Sequence, residues 1–358
     1  MDLLIFNRIA ALPGMMDVIK IMHLNMERYF KKTLLFIVTI FMVKAVLFNS
    51  FLSNKMFEYN STPSWSENST LQSINLLNDI LHNNKSVSDD VLINIVRDVF
   101  IKEPPPFDKE YRFDKKPWAK TINGQIGVPP IVDKILAQKQ NGFFIEAGAH
   151  DGEHFSNTLF FELKRNYTGL LIEPSRKFDT LIQRNRKAKC LNVCLATKPF
   201  PHEVDFLDCA EIGGIKGEIK GWQAEEVNNT APVIKATCLP LYTILSAVGN
   251  PVVDYFSLDI EGAELAVLKT IPWDKVDIKI LSIEVGENGR DPNEINKFMQ
   301  KSGYTLVIQM LGKLDNIYVR SDFLSPVFGR DQNPRLLKKR DFLGLRTFWT
   351  FKPSDLFE

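Results

Sequence analysis

The chain has 358 residues, of which 45% are hydrophobic, as in an ordinary globular protein. Its 44 basic and 43 acidic residues leave a net charge of +1, which excludes the strongly basic footprint of a nucleic-acid-binding protein. The length allows either two domains or one large domain with extensions.

An apolar stretch of 20 residues, 33–52, predicts a transmembrane signal anchor. Lys44 interrupts it, and a tilted helix or a snorkelling side chain would bring that charge to an interface. A cleaved signal peptide and a buried soluble helix are the alternatives, but 32 residues precede the stretch and no small-residue cleavage site follows. Basic residues cluster before the stretch, whereas only Lys55 closely follows it. This asymmetry predicts a cytoplasmic segment, 1–32, and a single-pass type II topology.

Residues 53–130 are predicted to form a lumenal stalk. Asn-x-Ser/Thr sequons begin within it and recur later, at Asn60, Asn68, Asn84, Asn166 and Asn228. Sequons just past a membrane span are typical of a glycosylated stem, and an unmodified polar linker is the alternative. Within the stalk, the apolar spacing over 87–101 predicts a helix, and the prolines at 104–106 then form a stiff spacer.

The four cysteines all follow the apolar stretch, at Cys190, Cys194, Cys209 and Cys238. An even number in a lumenal domain permits two disulfides with three alternative pairings. An oxidising compartment favours at least one disulfide, and free buried cysteines are the alternative.

From residue 142 onward, strand-like and helix-like segments alternate. The predicted strands are 143–147, 168–173, 190–196, 254–260, 278–285, 304–310 and 316–319. The last two are separated by a short turn and are expected to pair as a hairpin. The pattern predicts an α/β domain, 131–325, with a mostly parallel seven-stranded sheet and one antiparallel strand. The extension at 326–358 has basic residues followed by aromatic ones, which suits either docking on a partner or membrane, or packing on the domain.

Acidic residues and a glycine turn follow three of these strands. Gly148 and Gly152 flank a strand-to-helix turn, where backbone can approach a ligand closely. Glu146 precedes that turn, and Glu173 ends the next strand, where a carboxylate can accept hydrogen bonds from ribose hydroxyls. Asp259 ends the fourth strand. Because the carboxyl ends of parallel strands lie at one edge of the sheet, these residues predict a nucleotide-like ligand site.

This set of residues resembles the FkbM-type branch of S-adenosylmethionine-dependent methyltransferases. The similarity covers roughly 142–319 and includes the motifs Glu-Ala-Gly-Ala-x-x-Gly at 146–152 and Asp-Ile-Glu-Gly-Ala-Glu at 259–264. It implies a Rossmann-like class I methyltransferase fold. The residues implied to hold S-adenosylmethionine are Glu146, Gly148, Gly152 and Glu173. Asp259 and Glu261 would face or position the acceptor, and would be the catalytic residues of an active enzyme.

Other roles remain open for the polar residues of these motifs. His150 and His154 flank the glycine turn and could act as a general base, although many histidines only pack or cap. Asp259, Glu261 and Glu264 could ligate Mg²⁺, but the two glutamates also suit the start of a helix. We therefore predict no metal site.

Three stretches resemble more closely a subgroup of type II membrane proteins, the Star-like proteins of insects. They begin at Phe143, Asn185 and Asp254. That resemblance implies transport of transmembrane EGF-like growth-factor precursors from the endoplasmic reticulum to the Golgi, and so regulation of EGF-receptor signalling. It implies localisation in those membranes, with the endosome or plasma membrane as alternatives.

Three hypotheses for function follow. The first is a trafficking protein whose methyltransferase fold serves as a binding module. The second is an active lumenal O-methyltransferase that acts on a glycan or another hydroxyl acceptor. The third is a structural domain without a ligand. The fold alone cannot choose between them, because one fold supports many functions.

Overall fold

The computed structural model describes residues 67–83, 88–114, 122–219, 222–285, 292–310 and 315–328. Its main sheet has eight strands in the order β1-β4-β3-β2-β9-β10-β12-β11. These strands are β1 (Ile101–Lys102), β2 (Phe143–Ala147), β3 (Thr168–Ile172), β4 (Lys189–Leu191), β9 (Val253–Leu258), β10 (Ile278–Glu284), β11 (Tyr304–Gln309) and β12 (Asp315–Arg320).

The main sheet is mixed, which corrects the prediction of a mostly parallel sheet of seven strands. The central strands β4, β3, β2, β9 and β10 pair in parallel. Both edges are antiparallel, because β12 pairs with β10 and β11, and β1 pairs with β4. The hairpin of β11 and β12 was expected. The additional edge strand was not, because only two residues of the upstream segment form it.

Helices cover both faces of this sheet. The helices of the described residues are α1 (Glu67–Asn83), α2 (Asp89–Ile95), α3 (Val128–Ile135), α4 (Leu159–Arg165), α5 (Phe178–Gln183), α6 (Trp222–Thr230), α7 (Leu241–Ala247), α8 (Glu264–Leu268), α9 (Pro292–Lys301) and α10 (Ser321–Phe328), of which α6 packs away from this sheet, against Leu207 and Ile219. Neighbouring strand residues alternate between the two apolar cores: Ile145 packs with α7, α8 and α9, whereas Phe144 packs with α3, α4 and α5. The result is a layer of sheet between two layers of helices.

A second sheet of four strands lies beside the first, in the order β5-β8-β6-β7. Its strands are β5 (Cys194–Leu195), β6 (His202–Leu207), β7 (Gly214–Ile215) and β8 (Val233–Leu239). The single strand predicted over 190–196 is therefore wrong. The chain leaves the main sheet after Leu191 and enters the second sheet at Cys194. The residues on both sides of the change are apolar and buried, and the one mark of it in the sequence is the exposed Asn192 between them.

A disulfide joins Cys194 to Cys238, which are partners across the parallel pair β5 and β8. Cys190 and Cys209, the other two cysteines, are reduced. The structure thus selects one pairing among those that the sequence left open. The bond fixes the start of the second sheet, since β5 contributes only two residues to it.

Part of the predicted stalk belongs to the folded domain. Helix α2 continues into a π-helical turn, Val96–Phe100, and then into β1. Ile95 and Val96 are buried, and Val96 lies in the core that also contains Leu241. Residues 88–102 therefore pack on the domain.

The predicted membrane span, 33–52, lies outside the described residues, as does the extension after residue 328. Within the part of the chain that the structure describes, every helix is too short or too polar to cross a bilayer.

Candidate functional site

A cavity of about 350 Å³ lies at the carboxyl ends of β3, β2, β9 and β10. Its walls come from both sheets, because residues that follow β2 and β9 face Phe206 and Ile215 of the second sheet. The order of the strands reverses here: β3 lies on one side of β2, and β9 lies on the other. Such a switch point is where open α/β sheets bind ligands, and the volume suits a small organic molecule.

The glycine turn packs tightly against the end of β9. Gly148 has a φ of +83°, and a Cβ atom at this position would lie 1.8 Å from the backbone oxygen of Asp259. The backbone N–H groups of Gly148 and Ala149 both donate to the carbonyl oxygen of Ile172, at 3.1 Å. Only glycine permits this approach, so Gly148 holds the ends of β2, β3 and β9 together below the cavity.

Glu173 is buried and lines the cavity just after β3. Its Oε2 accepts a hydrogen bond from the backbone of His150 at 2.7 Å, and its Oε1 accepts one from the backbone of Ser175 at 2.9 Å. Each carboxylate oxygen can accept a further bond. Glu173 is therefore held in one orientation while it keeps the capacity to bind two neighbouring hydroxyl groups.

Glu146 is engaged within the protein. It accepts hydrogen bonds from the Ser156 hydroxyl, the Asn157 backbone and the Thr158 hydroxyl, at 2.6 to 2.8 Å. Burial raises the pKa of its carboxyl, while Arg186 and these three bonds act in the opposite direction. The predicted cofactor ligand thus anchors the loop 153–158. This loop leads into helix α4, which begins at Leu159.

Arg186 is a fully buried cation that the sequence analysis did not identify. Its guanidinium donates to the Glu162 carboxylate at 3.0 Å, to the Gly152 carbonyl, to the Ser156 hydroxyl at 3.2 Å and to the Thr158 hydroxyl at 3.1 Å. It therefore fixes the glycine turn and the loop behind the cavity with one side chain. The surrounding sequence is strongly polar and resembles an exposed stretch, so it gave no sign of this burial.

Asp151 shapes the same turn. Its Oδ1 accepts hydrogen bonds from the backbone of Glu153 and His154, and its Oδ2 accepts one from Arg184 at 3.0 Å. Burial alone would raise the pKa of Asp151, but the nearby His150 ring, the backbone hydrogen bonds and Arg184 outweigh it and hold the pKa far below its usual range. Asp151 is thus a permanent anion that orders residues 151–154.

The far end of the cavity is acidic. Carboxylate oxygens of Asp259, Glu261 and Glu284 all lie within 4.8 Å of one another. Burial, followed by the charges of Glu284, Glu261, Asp315 and Glu264, raises the pKa of Asp259 well above its usual range. Burial and the neighbouring Glu284 and Glu264 likewise raise the pKa of Asp315 to about 7. These separations suit a hard cation, and they suit equally a positively charged group of an organic ligand.

The segment after Asp259 is a tight turn. Glu261 has a φ of +57°, a left-handed conformation that non-glycine residues rarely adopt. Glu264 Oε1 accepts hydrogen bonds from the backbone of Ile260 at 3.0 Å and Gly262 at 3.2 Å. Glu264 therefore holds the turn at the start of α8, whereas Glu261 and Asp259 line the cavity.

His154 also lines the cavity, beside Phe155. Its Nδ1 lies 3.5 Å from Glu211 Oε1, which belongs to a short helical turn at the rim. Burial lowers the pKa of His154, so the imidazole is neutral near pH 7. A neutral imidazole beside a carboxylate can accept a proton from a hydroxyl group.

The structure brings the predicted site residues together and adds others. Gly148, Glu173, Asp259 and Glu261 line one cavity, and Gly152 lies in the turn behind it. Glu284 and Asn157 line the same cavity and were not among the predicted site residues. Glu284 is the last residue of β10 and the second-last of the strand predicted over 278–285, and an acidic residue near the end of that strand was the available signal.

One family of known proteins and one solved structure are similar to this chain. Residues 146–306 match the family model of the methyltransferase FkbM domain. A solved structure, a SAM dependent methyltransferase from Aquifex aeolicus, is similar with 11% identity and a TM-score of 0.27, over 52% of this chain and 88% of that chain. No curated protein matches the sequence. The part of the chain at 146–306 is thus similar to the methyltransferase FkbM domain, and it lies within an α/β fold that has a mixed main sheet.

Proposed function

We propose that the domain binds S-adenosylmethionine and transfers its methyl group to a hydroxyl acceptor. The observation that carries this proposal is Glu173, a fixed and buried carboxylate at the switch point, with both oxygens able to accept further bonds. A ribose offers two adjacent hydroxyl donors to such a group. The apolar residues Val193 and Leu195 next to it suit a flat adenine ring.

The chain's own residues supply the other requirements of methyl transfer. When bound, the cofactor would supply an electrophilic methyl group on a positively charged sulfur. His154 is neutral and lies in the same cavity, so it can accept the proton that a hydroxyl loses. Asp259 and Glu261 line the acidic end, where they can orient an acceptor by hydrogen bonds.

Binding of the cofactor tests the proposal directly. The full-length chain, purified in mild detergent, is titrated with S-adenosylmethionine in a calorimeter and by thermal unfolding. We expect saturable binding and an increase in Tm, because a ligand of the native state stabilises it. Glu173→Ala should weaken binding at least about tenfold, as expected for the loss of hydrogen bonds to a charged group. Glu103→Ala, an exposed carboxylate on the upstream segment, is the control. The absence of binding to the wild-type chain would refute the proposal.

We propose further that the domain is lumenal, attached to the membrane by residues 33–52 in a type II orientation. The apolar stretch, its basic flank and the sequons support this topology. The disulfide between Cys194 and Cys238 fits an oxidising compartment.

The trafficking role rests on the Star-like sequence segments and is a separate proposal. A lumenal domain anchored in the membrane can present its surface to transmembrane EGF-like precursors as they leave the endoplasmic reticulum. Co-precipitation of such a precursor from membranes tests this role. If Gly148→Glu abolishes cofactor binding but precursor export continues, transport is independent of methyl transfer. If no precursor is captured, the trafficking role is wrong.

A further inference from the structure

Three exposed side chains form the mouth of the cavity. Apart from a glycine, the exposed residues among the described ones that line the cavity are Gln125, Phe155 and Glu211. Glu173 and Val193, which are proposed to bind the cofactor, are buried in its interior. An aromatic ring, an amide and a carboxylate therefore surround the opening through which an acceptor enters and leaves.

Phe155 is held at this mouth in a conformation that phenylalanine rarely adopts. Its φ is +57°, in the left-handed region where a bulky residue is an outlier, and it is 38% exposed. Both of its neighbours are fixed: the backbone N–H of His154 donates to Asp151 at 2.7 Å, and the Ser156 hydroxyl donates to Glu146 at 2.8 Å. Such strain costs free energy and clusters at sites that bind ligands, so we expect the exposed ring to contact one.

Phe155 and Glu211 flank the imidazole that the proposed reaction uses as its base. The ring centroids of Phe155 and His154 are 3.8 Å apart, and Glu211 Oε1 lies 3.5 Å from His154 Nδ1. A hydroxyl group that gives its proton to His154 must therefore lie beside an aromatic ring and a carboxylate. The rest of the acceptor molecule then extends over the mouth, whereas the cofactor occupies the buried part of the cavity.

We propose that the acceptor is a saccharide, and that Phe155, Glu211 and Gln125 form the subsite that binds the sugar ring with the reactive hydroxyl. The inference rests on the proposed function and names its substrate class. A pyranose has an apolar face of C–H groups and a rim of hydroxyl groups. The apolar face matches the exposed aromatic ring, the carboxylate accepts hydrogen bonds from hydroxyls, and the amide both donates and accepts them.

The other classes of hydroxyl acceptor match this mouth less well. A phenol would stack on Phe155 but would leave Glu211 and Gln125 with few hydrogen bonds to the ligand. An open-chain alcohol would bond to the polar groups but would leave the aromatic ring uncovered. A sugar ring is the acceptor that uses all three side chains.

Saturation-transfer NMR on the full-length chain measures sugar binding directly, in a detergent whose head group contains no sugar. The probes are the methyl glycosides of glucose, galactose, mannose and N-acetylglucosamine, each with S-adenosylhomocysteine present. Phenol and glycerol are the comparison probes. We expect at least one methyl glycoside to bind with a Kd at least about fivefold lower than those of phenol and glycerol, because only the glycoside combines stacking with several hydrogen bonds.

Variants of the mouth test which side chains bind the sugar. Phe155→Ala should raise the Kd for that glycoside about tenfold, because the apolar contact is lost. Phe155→Tyr keeps the aromatic ring and should bind within about twofold of the wild type. Glu211→Gln should raise the Kd about fivefold, through the loss of a charged acceptor. Phe107→Ala removes an 81% exposed ring that does not line the cavity, and as the matched control it should leave the Kd unchanged.

The outcomes separate this inference from the proposed function. Binding of S-adenosylhomocysteine without binding of any methyl glycoside would overturn the saccharide subsite and leave the cofactor site intact. Equal Kd values for phenol and the glycosides, or equal losses in Phe107→Ala and Phe155→Ala, would also overturn the subsite. Failure of S-adenosylhomocysteine to bind would instead refute the proposed function, whereas sugar binding that is lost in Phe155→Ala and kept in Phe155→Tyr would still support the subsite.

Discussion

At the scale of single residues, Gly148 has the strictest steric requirement in the site. A Cβ atom there would lie 1.8 Å from the Asp259 backbone oxygen, at a φ of +83°. We expect Gly148→Ala to lower the free energy of unfolding by about 2–4 kcal/mol, from backbone strain and the steric clash together. Urea denaturation measures this loss.

Gly217 provides the matched control for that experiment. Its φ is +92°, but nothing lies within 4 Å of a Cβ atom at this position. Gly217→Ala should therefore lower the free energy of unfolding by only about 1 kcal/mol, from the left-handed backbone conformation alone. Equal losses in the two variants would show that the contact with Asp259 does not matter.

Asp315 should make stability depend on pH. Burial and the charges of Glu284 and Glu264 raise its pKa to about 7, so the folded state holds a proton that the unfolded state releases near pH 4. Stability should therefore fall as pH rises from about 4 to about 7, and then level off. The total change for this group is at most about 4 kcal/mol.

Asp315→Asn tests that expectation, because the amide does not titrate. The variant should be more stable than the wild type at pH 8, and the difference should vanish near pH 4, as measured by urea denaturation at both values. Asp179→Asn, on the surface of α5, is the control. A wild-type stability that rises between pH 5 and pH 7, with no change in Asp315→Asn, would contradict the assignment.

At the scale of elements, the loop 153–158 depends on Arg186. Removal of this guanidinium leaves the Glu146 and Glu162 carboxylates buried without their cation. We expect Arg186→Met to cost about 3–5 kcal/mol of unfolding free energy, as for other broken buried ion pairs. Thermal unfolding of the purified chain measures this loss.

A surface ion pair is the comparison for Arg186. Arg176 pairs with Asp208, but Asp208 is only 9% exposed, so a pair exposed on both sides makes the better control. Lys235 is 72% exposed and pairs with Asp205, which is 41% exposed, and Lys235→Met should leave the free energy of unfolding almost unchanged because solvent screens such pairs. If both variants lost similar stability, the charge of Arg186 would not be what orders the loop.

The second sheet depends on its disulfide. Cys194 and Cys238 are separated by 44 residues, and a cross-link over a loop of that length stabilises the native state by about 4 kcal/mol. We expect replacement of both by alanine to lower the Tm and weaken cofactor binding, since Cys194 also lines the cavity. Thiol titration of the denatured wild type without reductant should detect Cys190 and Cys209 alone. Detection of all four thiols would contradict the cross-link.

The sequence predicts some of these elements better than others, for physical reasons. Strand β2 was predicted with the bounds that the structure gives it, because an apolar run with one acidic residue marks its limits. The second sheet was missed, since β5 and β7 have two residues each and β6 is half-exposed.

The site residues also divide into those that the sequence pattern predicts and those that it does not. Glu173 and Asp259 could be predicted because each directly follows an apolar strand. Arg186 could not, because its burial arises from partners distant in sequence, such as Glu162 and Gly152. Long-range contacts of this kind leave no periodic pattern.

At the scale of the whole molecule, the proposed topology predicts glycosylation of the domain itself. Asn166 is exposed at the end of α4, in a left-handed conformation, and Thr168 of its sequon is exposed as well. We expect glycosidase treatment of the chain from animal-cell membranes to increase its electrophoretic mobility. Before glycosidase treatment, Asn166→Gln should migrate faster than the wild type by the shift that one glycan causes. Asn141→Gln, a neighbouring asparagine outside any sequon, should not. A chain without any glycan would contradict the lumenal orientation.

Strand β1 has a consequence for solubility. Ile101 and Lys102 pair with Leu191 and Cys190, and so cover the backbone groups of β4 at the border of the main sheet. A fragment that starts at residue 131 would leave those groups unpaired, as an open template for another molecule's strand. The segment upstream of the domain thus protects it from self-association, and a soluble fragment must begin before α2.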